Sequence, residues 1–122
     1  HAEGGSAVKC RRVCGEPENR LFFPQKPNGD RIVITVDELE ALRLGDWEQM
    51  EQDEAAARMA VSRGTFQRIL YAARKKSAQA LFLGCMIEIA GGHYHISNNE
   101  CRSSSCSFCP CKKRKDQNLE RK

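Results

Sequence analysis

QDEAAARMAVSRGTFQRILY, residues 52–71, is the stretch on which the fold turns. Two helices joined by a three-residue turn need a small residue where they cross and apolar residues at fixed inward offsets. Ala56 supplies the small residue, and Ala55, Met59, Val61, Phe66 and Ile69 fall at the inward offsets. Ser62 stands where its hydroxyl caps the second helix. The pattern is that of a helix-turn-helix, whose second helix enters the major groove of DNA. Ala60 departs from it, since Gly often relieves the strain of such a turn.

The second helix is expected from Ser62 to about Leu83. At roughly 100° per residue, Phe66, Ile69, Leu70, Ala73 and Ala80 share one arc. Arg63, Gln67, Arg68, Tyr71, Arg74 and Lys75 spread over the opposite one. Arg donates two hydrogen bonds to guanine O6 and N7, and Gln pairs in the same way with adenine N6 and N7. Arg74, Lys75 and Lys76, one turn later, suit phosphates, as does the helix N-terminus with Ser62 and Thr65. Gly64 costs about 1 kcal/mol relative to Ala inside a helix. Either the backbone approaches DNA closely there, or the position is exposed and unconstrained.

The charge map agrees. Val36–Ala56 holds eight acids and a single base, Arg43, whereas Ala57–Phe82 holds six bases and no acid. A basic middle and a basic tail on a chain of net charge +4 point to a polyanionic partner. The acidic run is expected to face away from that partner as a solvated surface, or to touch a basic protein such as RNA polymerase or a second subunit.

Outward from this pair, residues 1–30 read as a remnant of cloning (HAEGGSA) followed by a basic, Cys-containing arm and loop. RIVIT (31–35) is a short β-branched strand. Thr35 and Glu38 make a capping box for a helix carrying Val36, Leu39, Ala41 and Leu42 and stopping at Gly45. A short helix fits residues 50–59. MIEIAGGHYHI (86–96) alternates around Gly-Gly, the signal of a hairpin, which after a recognition helix is a wing. His93 and His95 share one face of that strand and suit either phosphates or a metal. Residues 97–122 form a Cys-rich basic tail, flexible or ordered by metal. The fold class is therefore mainly α with a small β-hairpin, a winged helix-turn-helix over residues 31–96.

CRRVCG near the start, ITVDELEALRLGD, AVSRGTFQRILYAARKKSAQAL and IEIAGGHYHI together resemble the domain-of-unknown-function 134 family, small bacterial and archaeal proteins predicted to bind DNA. The resemblance covers about residues 9–96. Its helical part is similar to region four of sigma factors, which reads promoter DNA. It implies that Arg63, Gly64, Gln67 and Arg68 face base edges and that Ser62 and Thr65 face phosphate. Sigma factors commonly carry an acid where this chain has Gly64, so base preference does not transfer.

The tail, CRSSSCSFCPCKKRK (101–115), poses a separate question. Cys101, Cys106 and Cys109 have the spacing of the plant-type ferredoxin loop, which holds a [2Fe–2S] cluster. The nine residues resemble its Cys-Arg-x-x-Ser-Cys-Ser-x-Cys lettering, but a fourth ligand would have to come from Cys111, Cys10, Cys14 or Cys85. A zinc site from Cys101, Cys106, Cys109 and Cys111 is an alternative, with Cys10 and Cys14 as further thiolates. A reduced tail without metal is the third reading. Cys85, beside Leu83 and Met86, suits a core position.

The leading expectation is a sequence-specific, double-stranded DNA-binding regulator, with metal or redox modulation and a homodimer as open options and no segment that declares a dimer interface. The alternative is a metal or iron–sulfur carrier that docks through its helical domain. No phosphate loop and no nucleophile–base set is visible, so an enzyme is not expected. Without an export signal or an apolar run of about eighteen residues, the expected location is cytoplasmic, at the nucleoid.

Overall fold

The computed structural model describes residues 10–96. Thr35 opens the first helix as its composition demands. The Glu38 amide donates to Thr35 Oγ1 at 3.3 Å, and the Thr35 amide donates back to Glu38 Oε1 at 3.0 Å. Helix α1 covers Val36–Leu42. It does not stop at Gly45 but runs on through a wider, π-type turn, Arg43–Trp47. Gly45 is absent from the left-handed region and serves packing instead. A Cβ there would lie 3.2 Å from Leu70 Cδ2 and 3.4 Å from Phe66 Cζ. Glycine lets two helices meet rather than ending one.

Helix α2 covers Gln52–Arg58 and α3 covers Arg63–Leu83. Ser62 caps α3 through its hydroxyl, and Gly84, at φ +77°, ends it in a left-handed cap. The connecting turn holds Ala60 at φ +59°. Phe66, Ile69, Leu70, Ala73 and Ala80 are the buried residues of α3, the arc its periodicity singled out. With Ala55, Ala56 and Met59 also buried, α2 and α3 pack as expected across their small crossing residue, and Val61 packs partly buried against the cluster.

The strands are short and form two sheets. β1 (Arg11–Val13) pairs in parallel with β5 (Tyr94–Ile96), Arg12 opposite His95. β4 (Met86–Ile89) lies between β2 (Leu21–Phe22), antiparallel to it, and β3 (Arg31–Ile34), parallel to it. Two expectations fail here. The residues either side of Gly91-Gly92 do not form a hairpin, because β4 and β5 join different sheets. The two glycines instead carry the chain over the N-terminus of α1. Gly91 O accepts the Val36 amide at 3.1 Å, and Gly92, at φ +108°, approaches so closely that a Cβ would sit 2.4 Å from Asp37 Oδ1. Nor is the domain confined to residues 31–96. Residues 11–22 supply a strand to each sheet, and Val13 and Cys14 are buried. Strands of two or three residues carry too little alternation to be read from sequence.

The core has two centres. One joins α1, the π turn, α2 and α3 around Leu44, Met59, Phe66 and Leu70; the other joins Val13, Ile34, Val36 and Ile89 beneath the sheets. The acidic run divides: Asp46, Glu51, Asp53 and Glu54 are exposed, as on a solvated face, but the acids of α1 are not. Asp37 and Glu40 are buried, and Arg43 holds Glu40 at 2.9 Å and Glu48 at 3.3 Å. The Cys14 amide adds a bond to Glu40 Oε2 at 3.2 Å. Buried carboxylates persist only when paired in this way. Leu39 and Leu42, expected on the inner face, are half-buried at its edge. Among the described residues no helix is long and apolar enough to cross a membrane.

Candidate nucleic-acid interface

The N-terminal half of α3 is packed through Phe66, Ile69 and Leu70 and exposes Ser62, Arg63, Gly64, Arg68 and Tyr71 on its other side. Ser62 Oγ accepts the Thr65 amide at 3.1 Å and donates to Thr65 Oγ1 at 3.0 Å. Thr65 Oγ1 also receives Arg68 Nη2 at 3.0 Å, which folds Arg68 back along the first turn. By helix geometry the Arg63 and Gly64 amides lack an intrahelical acceptor, so the turn presents free donors and a cation together. Gly64 is exposed and meets nothing closer than Arg68 Nη1, 3.7 Å from where a Cβ would be. No contact inside the protein calls for glycine there.

Neighbouring elements sort the remaining side chains. Gln52, on α2, accepts Arg63 Nε at 3.3 Å and also Gln67 Nε2, bridging the two helices through one oxygen. Arg63 Nη1 lies 3.7 Å from Asp53 Oδ1. Arg74 makes a two-pronged pair with Asp46, at 2.7 and 3.1 Å, and its guanidinium stands 5.7 Å from the Tyr71 ring centre. The hydrogen bond to Asp46 raises the Arg74 pKa above its already high ordinary value, so the cation persists at every accessible pH. These exposed pairs are weak and exchangeable, each worth up to about 1 kcal/mol. Tyr71, Lys75 and Arg68 are exposed on the middle of the face. Lys76 lies apart from them, half-buried, with Nζ at 2.9 and 3.1 Å from the two Glu38 oxygens.

The supports of this face carry no signal in the sequence. Arg12 reads there as part of a basic arm. Its amide donates to Met59 O at 2.9 Å and its Nε to Arg58 O at 3.1 Å, closing the C-terminal carbonyls of α2 just before the turn. Gln52, Asp46 and Asp53 carry no motif of their own. Only their place opposite α3 marks them.

The cysteines divide. Cys10 is exposed, Cys14 is buried in the helical core with Arg58 Nη2 3.8 Å from its sulfur, and Cys85 is buried beside Asn28. Among the described residues no three His, Cys, Asp or Glu side chains converge as a metal site. Cys101, Cys106, Cys109 and Cys111 lie outside the described residues. His93 and His95 are both exposed at the β5 edge.

Comparison with known proteins places the chain in a family. The chain is 43% identical over 110 residues to a UPF0251 protein of Ruminiclostridium cellulolyticum, covering 83% of this chain and 87% of that one. A UPF0251 protein of Chlorobaculum tepidum is 43% identical over 104 residues, covering 83% of this chain but 52% of its own length. One from Syntrophobacter fumaroxidans reaches 49% over 86 residues, 68% of this chain and 55% of that one. No solved structure matches. The family described as protein of unknown function DUF134 matches residues 3–97, and the chain belongs to it.

Proposed function

We propose that this protein binds double-stranded DNA in a sequence-dependent manner and regulates transcription. In this reading α2, the turn and α3 act as a helix-turn-helix, with the first turns of α3 in the major groove. One observation carries the reading: Gly64, Arg68, Tyr71 and Lys75 form an outward face with no acid on α3, with half-buried Gln67 at its edge, anchored by a capped, exposed N-terminus. The left-handed turn at Ala60 and the close α2–α3 packing support the same motif. Arg68 and Gln67 would read base edges, Lys75 and the helix N-terminus would meet phosphates, and Arg63 and Arg74 would exchange their exposed acids for phosphate. The flanking strands β4 and β5 are separate, so this motif has no hairpin wing.

The test is selection of bound duplexes from a random pool, followed by anisotropy titration of the full chain. Arg68→Ala should cost about 1–3 kcal/mol on the preferred site and relax discrimination at one position. Unchanged binding would sink the assignment, and equal loss on every sequence would restrict Arg68 to a phosphate contact.

A further inference from the structure

At the far end of α3 the chemistry changes. Leu81 is 77% exposed and Phe82 89%, and beside them Phe22 and Phe23 of the β2 edge are 51% and 69% exposed. Phe22, Phe23 and Leu81 line one groove of about 270 Å³, floored by Ala80, Cys85 and Ile87. Taking about 200 Å² for a fully exposed side chain of this size, the three groove residues leave on the order of 400 Å² of apolar surface, and Phe82, next to Leu81 on α3, brings the total to about 600 Å². That is the upper limit for the largest patch on an ordinary monomer. It also suits one side of a standard protein interface, which buries roughly 800 Å² per partner with about 60% of it apolar.

We infer that this patch is the two-fold contact of a homodimer, with Leu81 and Phe82 of each copy seated against Phe22 and Phe23 of the other. Two features favour a second copy over another occupant. The patch offers both a ridge (Leu81, Phe82) and a groove (beside Phe22 and Phe23), as an isologous contact requires. The second is spacing, and it rests on the DNA reading proposed above. Arg68 and Leu81 share α3 and stand thirteen residues apart, about 20 Å along the axis. A dyad at Leu81–Phe82 therefore separates the two reading ends by up to about 40 Å, and by less as the helices cross. The 34–36 Å between successive major grooves falls within that span. The same helix would read DNA at one end and set half-site spacing at the other.

The test uses the full chain and does not need DNA. Sedimentation equilibrium from 1 to 100 μM should give twice the chain mass for the wild type. The variant L81E/F82E should run at one chain mass and keep its circular dichroism spectrum and a cooperative melt, because both positions are exposed, with the midpoint lowered only by the lost association. Phe23→Ser, on the groove side, should weaken association at least tenfold. A wild type at single-chain mass at 100 μM overturns the inference, as does a dimer that survives both substitutions. Binding of single-mass protein to vesicles of mixed anionic and neutral phospholipid would assign the patch to a membrane surface and overturn it too. On a duplex carrying two half-sites one turn apart, the wild type should bind at least tenfold tighter than L81E/F82E, with equal affinity for a single half-site. Loss of DNA binding with the doubled mass intact would remove the DNA reading and leave the dimer standing.

Discussion

Ala60 holds a left-handed conformation that costs an L-residue on the order of 1–2 kcal/mol. Replacing it with Gly should stabilise the domain by about 0.5–1 kcal/mol once the greater freedom of unfolded Gly is subtracted. Urea melts would show a higher midpoint at unchanged slope. A lower midpoint would mean that the turn gains from the Ala60 methyl. Gly64 asks the converse question. Nothing in the fold crowds a Cβ there, so Gly64→Ala should add about 1 kcal/mol of helix stability. If the backbone approaches DNA at that point, the same change should weaken binding at least tenfold. A variant both more stable and equally tight would remove Gly64 from the interface.

Among the elements, α1 owes its position to contacts that sequence patterns describe poorly. Its inner face carries acids, and these are tolerable only because Arg43 lies between Glu40 and Glu48 and Arg11 Nη1 approaches Asp37 at 3.7 Å. Arg43→Met should destabilise by about 3–5 kcal/mol, since it removes the cation that Glu40 and Glu48 share while leaving both carboxylates in the fold. At the other end of the element, Gly92→Ala combines an unfavourable φ with a collision against Asp37 and should cost about 2–4 kcal/mol. Both are read as the loss of unfolding free energy in denaturant. The same Gly-Gly pair shows how local signals mislead. Its left-handed geometry fits a hairpin turn, but a hairpin also needs its two arms to pair, and β3 and β1 took the arms as partners instead.

Across the whole molecule, the cations of α3 fall into two classes that salt distinguishes. Lys75 is exposed, whereas Lys76 is held by Glu38. Lys75→Ala should lower the slope of log K against log salt by about one, with uniform loss over DNA sequences. Lys76→Ala should leave that slope unchanged and cost up to about 1 kcal/mol of stability instead. Equal slope changes for both would show that Glu38 releases Lys76 on DNA. α3 joins a polar, basic end to an apolar end, and on the proposed DNA reading the proposed dimer would convert one helix length into a spacing between half-sites.

The helical half of this protein was legible from residues 35–83 because its determinants are local. A capping box, a 3.6-residue apolar period and a cap at Ser62 act within a turn or two, so the sequence alone specified α1, α2, α3 and the outward face of α3. The sheets, the supports of the turn and the apolar end were set by contacts between residues far apart in the chain. Arg12 meets Met59, Phe22 meets Ile87, and Gly45 meets Leu70 only after the chain has folded back on itself. Such pairings arise from whichever partners the compact chain brings within reach, and no spacing along the sequence encodes them.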